Sequence, residues 1–482
     1  RSSYVSRTTT ESMDQFINRS EELDRLQQLY ASDKAELAII YGRRQIGKSE
    51  LVRQSIADRD EAVYYQAVQG TATTQLRRFV EAAATTYPDI TAVKEDWEPL
   101  LTHLVNKNAI VVIDEFPYLI ASNEGLPSII QHLWDTAVDE SQATLVLTGS
   151  AIGMMHTHVL DGGAPLYGRI SQTPNGRIEL TQLPFNAITE FVPTYDPEER
   201  VFVYGILGGT PRYLSPLDPS QDLGTNITRL LCDPDGPLHD EPETVLQMEL
   251  NEVNTYFSIL ESMASGNRSR NEIAQSAGIE STNTSYYFDR LETLQIIEKH
   301  HPALANPARS KRTRYQIKDP VFRFYFRYLY GRGGQYELYG KNAYGDLIEP
   351  ELPDFVSETF ESLCHQALPT LYDDYQFTQF PSQWWYKDHE IDVVAPTDSS
   401  TLIAGEAKFT NTALGYDVLA NLEAKVAHID WTPPTGGDPT FEFALFSRSG
   451  FKRSVEEAVT ERDDLRLFDL TDIVAALEQL SS

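Results

Sequence analysis

Cysteine is almost missing from this sequence: 482 residues contain two, Cys232 and Cys364. They stand in different predicted domains, so neither a disulfide framework nor a cysteine-based zinc site is available. No apolar run approaches the roughly 20 residues that span a bilayer, and no signal-peptide pattern is read. These absences predict a soluble, cytoplasmic protein with no membrane partner. Internal repeats and low-complexity tracts are lacking too. Positive charge is scarce: 40 Lys and Arg against 71 Asp and Glu give a net charge of −31. Hydrophobic residues make up 41%, so the chain is a folding one rather than an acidic disordered one. Such a surface suits a halophile, where near-molar salt and a Debye length of about 3 Å weaken self-repulsion. Acidity therefore does not exclude nucleic acid as a partner, because local basic patches still count. The length predicts roughly two to four domains.

What the chain does carry is a complete phosphate-binding loop. Gly42-Arg43-Arg44-Gln45-Ile46-Gly47-Lys48-Ser49 reads G-x-x-x-x-G-K-S. An apolar run, Leu37 to Tyr41, leads into it, and a helical segment beginning at Glu50 follows, which is the strand–loop–helix setting the motif requires. The glycines let successive N–H groups face a phosphate, and the following helix adds its N-terminal donors and dipole. ATP is the expected ligand, with Lys48 on the β- and γ-phosphates and the Ser49 hydroxyl on Mg²⁺.

A second apolar run, Ala62 to Val68, reads as a strand. Ala109-Ile110-Val111-Val112-Ile113-Asp114-Glu115 reads as another and ends in two carboxylates. Asp114 suits the Mg²⁺ ion and Glu115 the orientation of the attacking water, since phosphoryl transfer depends on positioning and electrostatics. The spacing leaves room for one further strand between the two motifs. Thr144 to Leu147 forms the next strand and ends in Thr148-Gly149-Ser150. Either hydroxyl there faces the ligand crevice and is a candidate sensor of the γ-phosphate. Arg169 follows a Gly/Pro-rich loop and reads either as an arginine finger or as a surface arginine paired with an acid. A fifth strand is expected over 177–183. Upstream, Asn18 or Ser20 is placed to cap a helix that runs to about Ala31. Phe16 and Ile17 either staple that entry or flank an adenine ring.

The set F-I-N-R-x-x-E-L, G-R-R-x-x-G-K-S, V-V-I-D-E-F, L-T-G-S and L-Y-G-R resembles the archaeal P-loop ATPase family, which is related to the AAA+ and signal-transduction ATPases. The likeness continues at Gly208-Gly209-Thr210-Pro211-Arg212-Tyr213-Leu214. In relatives that segment belongs to a helical lid, which implies that Pro211 lies near the adenine and that Arg212 approaches the phosphates. Family members often carry Thr at the Ser49 position and Arg or Val at Gln45 and Ile46, differences that remove no needed group.

Residues 250–318 read as three helices and a strand pair, and this order resembles a winged helix-turn-helix. The loop between the strands holds Arg309, Lys311, Arg312 and Arg314. One reading sets these on a DNA phosphate backbone, with residues 281–287 approaching the major groove. The other docks the loop on the acidic ATPase core as an autoinhibiting module. The aromatic run Val321 to Tyr330 fits one buried helical face better than a base-stacking platform.

The remaining chain offers a helix around Glu361, a strand holding Asp392, and a strand ending Gly405-Glu406-Ala407-Lys408. Alternation sets Glu406 and Lys408 on one face. With Asp392 opposite, two carboxylates suit Mg²⁺ or Mn²⁺, Glu361 could complete the shell, and Lys408 could activate a water or steady a phosphate. Helix, hairpin, helix and strand in this order resemble the restriction-endonuclease-like PD-(D/E)xK fold. That domain is inactive in many relatives.

The expectation is thus an α/β multidomain chain: a P-loop NTPase core with a parallel sheet over 1–184, a helical lid over 185–249, a winged helix over 250–318 and a nuclease-like domain over 319–482. The leading functional reading is an ATP-hydrolysing switch coupled to DNA binding and metal-dependent cleavage. A sensor or scaffold with an inactive nuclease-like domain is the alternative. A nucleotide-dependent homo-oligomer that moves DNA is a third.

Overall fold

The computed structural model describes residues 17–136, 141–250, 252–280, 283–339 and 342–480, so Phe16 and the segment 281–282 lie outside the described residues. The chain divides into two compact units, Arg1–Thr181 and Gln182–Ser482.

In the first unit, strands β1 (Glu36–Tyr41), β2 (Ala62–Gln66), β3 (Ile110–Asp114), β4 (Thr144–Gly149) and β5 (Arg177–Glu179) pair in parallel in the order β2-β3-β4-β1-β5. A parallel sheet is covered on both faces, which is why its strands are unbroken apolar runs. Alternation sorts each run between two cores. Ala38, Ile40, Ile110, Val112 and Val146 enter one core with Leu26 and Leu29 of α1 (Ser20–Tyr30) and with Leu51 and Val52 of α2 (Lys48–Ser55). Leu37, Ile39, Val111, Ile113, Leu145 and Leu147 enter the other core. There they meet Phe79 of α3 (Ala72–Ala84), Leu101 of α4 (Trp97–Asn106) and Trp134 of α5 (Leu126–Thr136). The strand expected between the two motifs is β2 along the chain. In the sheet, β4 separates β1 from β3. The carboxyl ends of β1, β3 and β4 therefore lie side by side.

Two local expectations fail. Neither Asn18 nor Ser20 caps α1: Arg19 holds the N-cap position at φ 73°, and the Asn18 side-chain oxygen accepts from the Arg19 amide at 2.6 Å. β5 stops at Glu179, short of the expected 183.

The second unit opens with short helices and α6 (Pro197–Leu207), which starts in an Asp196–Glu199 capping box. Beyond it, a side chain at Gly209 would place its Cβ 1.9 Å from the Leu183 carbonyl oxygen, so only glycine fits. Pro211 opens a one-turn helix, Pro211–Leu214, within this same unit. Next come α7 (Val253–Ala264), α8 (Arg270–Ser276), α9 (Thr284–Thr293) and an antiparallel pair, β6 (Ile297–His300) with β7 (Arg314–Ile317). The run Val321 to Leu329 is helical and buried.

A separate α/β domain with a mixed sheet follows. It comprises α10 (Leu352–Leu371), β8 (Ser382–Tyr386), β9 (His389–Pro396), β10 (Thr401–Lys408), α11 (Tyr416–Val426), β11 (Thr440–Ser447), α12 (Arg453–Glu461), β12 (Leu465–Asp469) and α13 (Leu470–Gln479). The order is β12-β11-β10-β9-β8, antiparallel from β8 to β10 and parallel from β10 to β12. α10 and α13 cover one face through Phe360, Leu363, Ile473 and Leu477, while Leu419, Leu422 and Val426 of α11 cover the other. Cys232 and Cys364 are both buried and unbridged. The ladder between β8 and β9 is irregular. Between the pairs Ser382↔Val394 and Trp384↔Ile391, β9 uses three residue steps where β8 uses two. This is a β-bulge at Asp392–Val393, a device that re-aims a side chain.

Among the described residues, no helix is long and apolar enough to cross a membrane.

Candidate functional sites

The phosphate-binding loop bends through Gly42 (φ 151°), Gln45 (φ 65°) and Gly47 (φ 97°). At Gly42 a Cβ would lie 2.4 Å from the Leu180 carbonyl oxygen. α2 begins at Lys48 with no side-chain cap, which leaves its first amides, including those of Ser49 and Glu50, to an outside acceptor. The Lys48 side chain is buried, and its ammonium donates to the carbonyls of Gly42 at 3.0 Å and Arg43 at 2.7 Å. A cation is thus held at the mouth of a ring of amides, a fitting cradle for a polyphosphate. Arg19 explains the N-R of the upstream motif. Its guanidinium donates to Ile46 O at 3.4 Å and to Thr181 O, and pairs with Glu22 at 3.0 Å, tying the start of α1 to the loop.

Asp114 ends β3 with no exposed surface. Its carboxylate accepts from Tyr64 Oη at 2.7 Å, from the Thr148 hydroxyl and from the Glu115 amide at 3.1 Å. Burial and the Asp114 charge together raise the Tyr64 phenol pKa, so the phenol remains a donor. Glu115 adopts φ 55°, a left-handed backbone that a non-glycine residue takes at a cost. Its carboxylate accepts from Ser150 Oγ at 2.8 and 2.7 Å and from the Ser150 amide at 3.3 Å. A cavity of about 370 Å³ beside it is lined by Arg44, Glu115, Tyr118 and Ala151, and Arg44 donates to Tyr118 Oη at 3.2 Å. Hard oxygen donors at Ser49 and Asp114 fit Mg²⁺, which takes one or two protein oxygens and completes its shell with water and phosphate. Arg169, on the short helix Tyr167–Ile170, is ion-paired with Asp135.

In the second unit, the bulge brings Asp392 to the end of β10. The Lys408 ammonium lies 2.6 Å from a carboxylate oxygen of Asp392 and 2.6 Å from one of Glu406. The Ala407 amide donates to Asp392 at 3.0 Å, and Lys425 of α11 holds the second Glu406 oxygen. Burial works against the Lys408 charge, but Asp392 and Glu406 outweigh it and raise its pKa. Lys408 is therefore an ammonium, suited to steadying a phosphate rather than to taking a proton. Burial and the Asp392 charge push the Glu361 carboxyl up to about 9. Among the described residues no three His, Cys, Asp or Glu side chains converge to hold a metal. Two carboxylates of hard oxygen still fit Mg²⁺ or Mn²⁺, which bind substrate phosphates through such pairs. His365 is kept neutral by burial, and its Nε2–H donates to the Asp392 carbonyl at 2.7 Å.

Sequence reasoning missed Lys425, Ser150's grip on Glu115 and Tyr64. Lys425 had a signal: it stands between Leu422 and Val426 on the buried stripe of α11. The basic loop divides. Arg314 pairs with Glu390 at 2.6 Å and lies over the Trp385 ring at 4.5 Å, while Arg312 donates to Trp385 O at 2.9 Å. The carboxylate that engages Arg314 is Glu390 of β9, within the same unit. Arg309 and Lys311 are exposed.

Two family descriptions match this chain. "ATPase domain predominantly from Archaea" covers residues 16–217, and "Archaea bacterial proteins of unknown function" covers residues 325–425. An uncharacterized protein of Methanocaldococcus jannaschii is 33% identical over 80% of this chain and 85% of its own length. An uncharacterized ATP-binding protein of the same organism is 41% identical over 44 residues, 9% of this chain and 75% of that protein. Among solved structures, the Walker-type ATPase PABY2304 of Pyrococcus abyssi aligns with TM-score 0.50 and 18% identity over 65% of this chain and 96% of that one, a likeness of fold.

Proposed function

From the premise that the chain belongs to this archaeal P-loop ATPase family, we propose that it is an ATP-hydrolysing switch whose second unit acts on DNA by metal-dependent cleavage. The observation that supports the first half is the convergence of Lys48, Asp114, Glu115, Thr148 and Ser150 at the carboxyl ends of three adjacent strands.

In this mechanism the amides of 42–50 cradle the phosphates, and Lys48 exchanges the Gly42 and Arg43 carbonyls for phosphate oxygens. Ser49 and Asp114 hold Mg²⁺, which when bound supplies neutralisation of the developing charge. Glu115 orients the attacking water, and Ser150 fixes Glu115. Thr148 fixes Asp114 and accepts from the Glu115 amide at 3.3 Å. Arg169 serves as a finger toward a neighbouring copy only if it leaves Asp135.

In the second unit, Asp392 and Glu406 hold the divalent ion and Lys408 steadies the scissile phosphate. That half rests on the pairing of Lys408 with both carboxylates. The test is DNA cleavage by the full chain in concentrated KCl with Mg²⁺ or Mn²⁺, with and without ATP, against Lys408→Ala and Lys48→Ala. Cleavage that vanishes with Lys408→Ala supports the reading, and the Lys48→Ala protein then shows whether nucleotide gates it. ATP turnover without cleavage under any condition replaces it with the sensor or scaffold.

A further inference from the structure

The twenty residues 299–318 hold six Lys and Arg and no Asp or Glu, in a chain where acids outnumber bases by 71 to 40. This segment is fixed in place. The Ala303 amide donates to Gln383 O of β8 at 2.8 Å, and Ala303 is buried with Trp384 and Ile391. Asn306 O then accepts from the amides of Arg309 at 3.0 Å and Ser310 at 2.9 Å, which shapes the tip. The loop thereby joins the β8–β9 turn in one surface. On it Arg312 lies 5.4 Å and Lys387 5.2 Å from the centre of the Tyr386 ring, which is 42% exposed. Arg309, Lys311 and Lys387 are exposed, and Asp388 is the one acid in the turn.

We infer that this two-part tip, loop 306–312 with turn 386–389, is the docking surface for a single-stranded nucleic acid. The inference rests on the reading of the second unit as one that acts on nucleic acid, and it adds where and in which form the strand is held. Cations spaced along a loop track a phosphate backbone, and an exposed ring offers a base a stacking face that any base fits. A duplex reader of the helix-in-groove kind needs donors on its helix. On α9 the exposed donors are the hydroxyls of Ser285 and Tyr286, set beside the Asp289 carboxylate, and its one cation, Arg290, donates to the Glu249 carbonyl at 3.2 Å. The tip is also continuous with β9, which carries Asp392. A strand held at the turn is thus led along the hairpin toward the carboxylates.

The test is fluorescence anisotropy of labelled oligothymidylate and of a duplex of equal length, titrated with the full chain over a KCl series. The wild type is expected to bind the single strand more tightly. The triple variant Arg309→Ala/Lys311→Ala/Lys387→Ala, checked by its thermal melt, is expected to lower the logarithmic salt slope by about 2, since each lost contact removes about 0.7. Tyr386→Leu is expected to weaken binding about fivefold or more at an unchanged slope, with Tyr386→Phe restoring it. Unchanged binding by the triple variant overturns the proposed surface while leaving the nucleic-acid reading standing. Tighter binding of the duplex overturns the single-strand assignment. A wild type that binds neither overturns both.

Discussion

Ser150 holds Glu115 by both carboxylate oxygens, its hydroxyl standing 2.8 and 2.7 Å from them. The residue so held sits at φ 55°. The carboxylate direction is thus fixed from two sides, by its own backbone and by the end of the neighbouring strand. Ser150→Ala is expected to lower kcat for ATP about tenfold with little change in KM. Glu115→Gln should lower it by about 10² or more while nucleotide still binds. Steady-state kinetics with a separate ATP-binding titration reads both. Equal losses in kcat and binding would make Ser150 a structural residue.

Arg19 is buried and serves the Ile46 and Thr181 carbonyls together with Glu22. Arg19→Ala leaves the buried Ile46 carbonyl without this donor, which costs about 2 kcal/mol. Arg19→Lys should recover little, because a single ammonium does not reproduce the guanidinium fork. The expected signature is a lower melting temperature together with weaker ATP binding. A variant that melts and binds as the wild type removes this residue's role.

Glu361 carries a pKa raised to about 9 by burial and by Asp392, against an ordinary 4.5. Between those values the folded chain binds more protons at this site than the unfolded chain, so stability must fall as pH rises. The stabilisation is complete below the ordinary value and is lost as pH passes through about 9. Glu361→Gln should flatten the slope, leaving the melting temperature near pH 5 little changed and raising it near pH 9 relative to the wild type. Parallel curves for the two proteins across that range would contradict the assignment.

The cations of the basic loop should separate by role. Arg314 pairs with Glu390 and covers Trp385, both partners being partly exposed. Arg314→Ala is expected to cost the second unit about 1 kcal/mol, the upper end for a screened pair, with some packing loss besides. Arg309→Ala, on an exposed side chain, should stay within about 0.5 kcal/mol. Urea denaturation of each single variant makes the comparison.

Much of the fold was legible because the strands are apolar runs ended by chemistry-bearing residues: Leu37 to Tyr41 into the loop, and Ala109 to Ile113 into Asp114 and Glu115. Glu406 and Lys408 were found through alternation along β10, which is regular there. The contacts that assemble the sites were not legible. Ser150 reaches Glu115 only because β4 inserts between β1 and β3, a matter of sheet order. The helix α12, strand β12 and helix α13 went unread. In α12 Val455 is the one buried residue, too little to mark an inward face, whereas α13 had a signal in Leu470, Ile473, Val474 and Leu477. Arg312 and Arg314 have the composition of a nucleic-acid patch. What they meet, Trp385 and Glu390, lies some seventy positions away along the chain.

The bulge in β9 makes the second site depend on a count of residues as well as on their identities. Three steps of β9 face two of β8 between Ile391 and Val394. Deleting one residue there would restore a regular ladder and carry Asp392 to the other side of the strand, away from Lys408. Every residue of the site would remain in the sequence, and the constellation would be gone. Kinship at this domain is therefore better judged by spacing across 391–394 than by the presence of Asp, Glu and Lys. A relative that keeps all three but is one residue shorter in that interval has the letters of the site without its geometry.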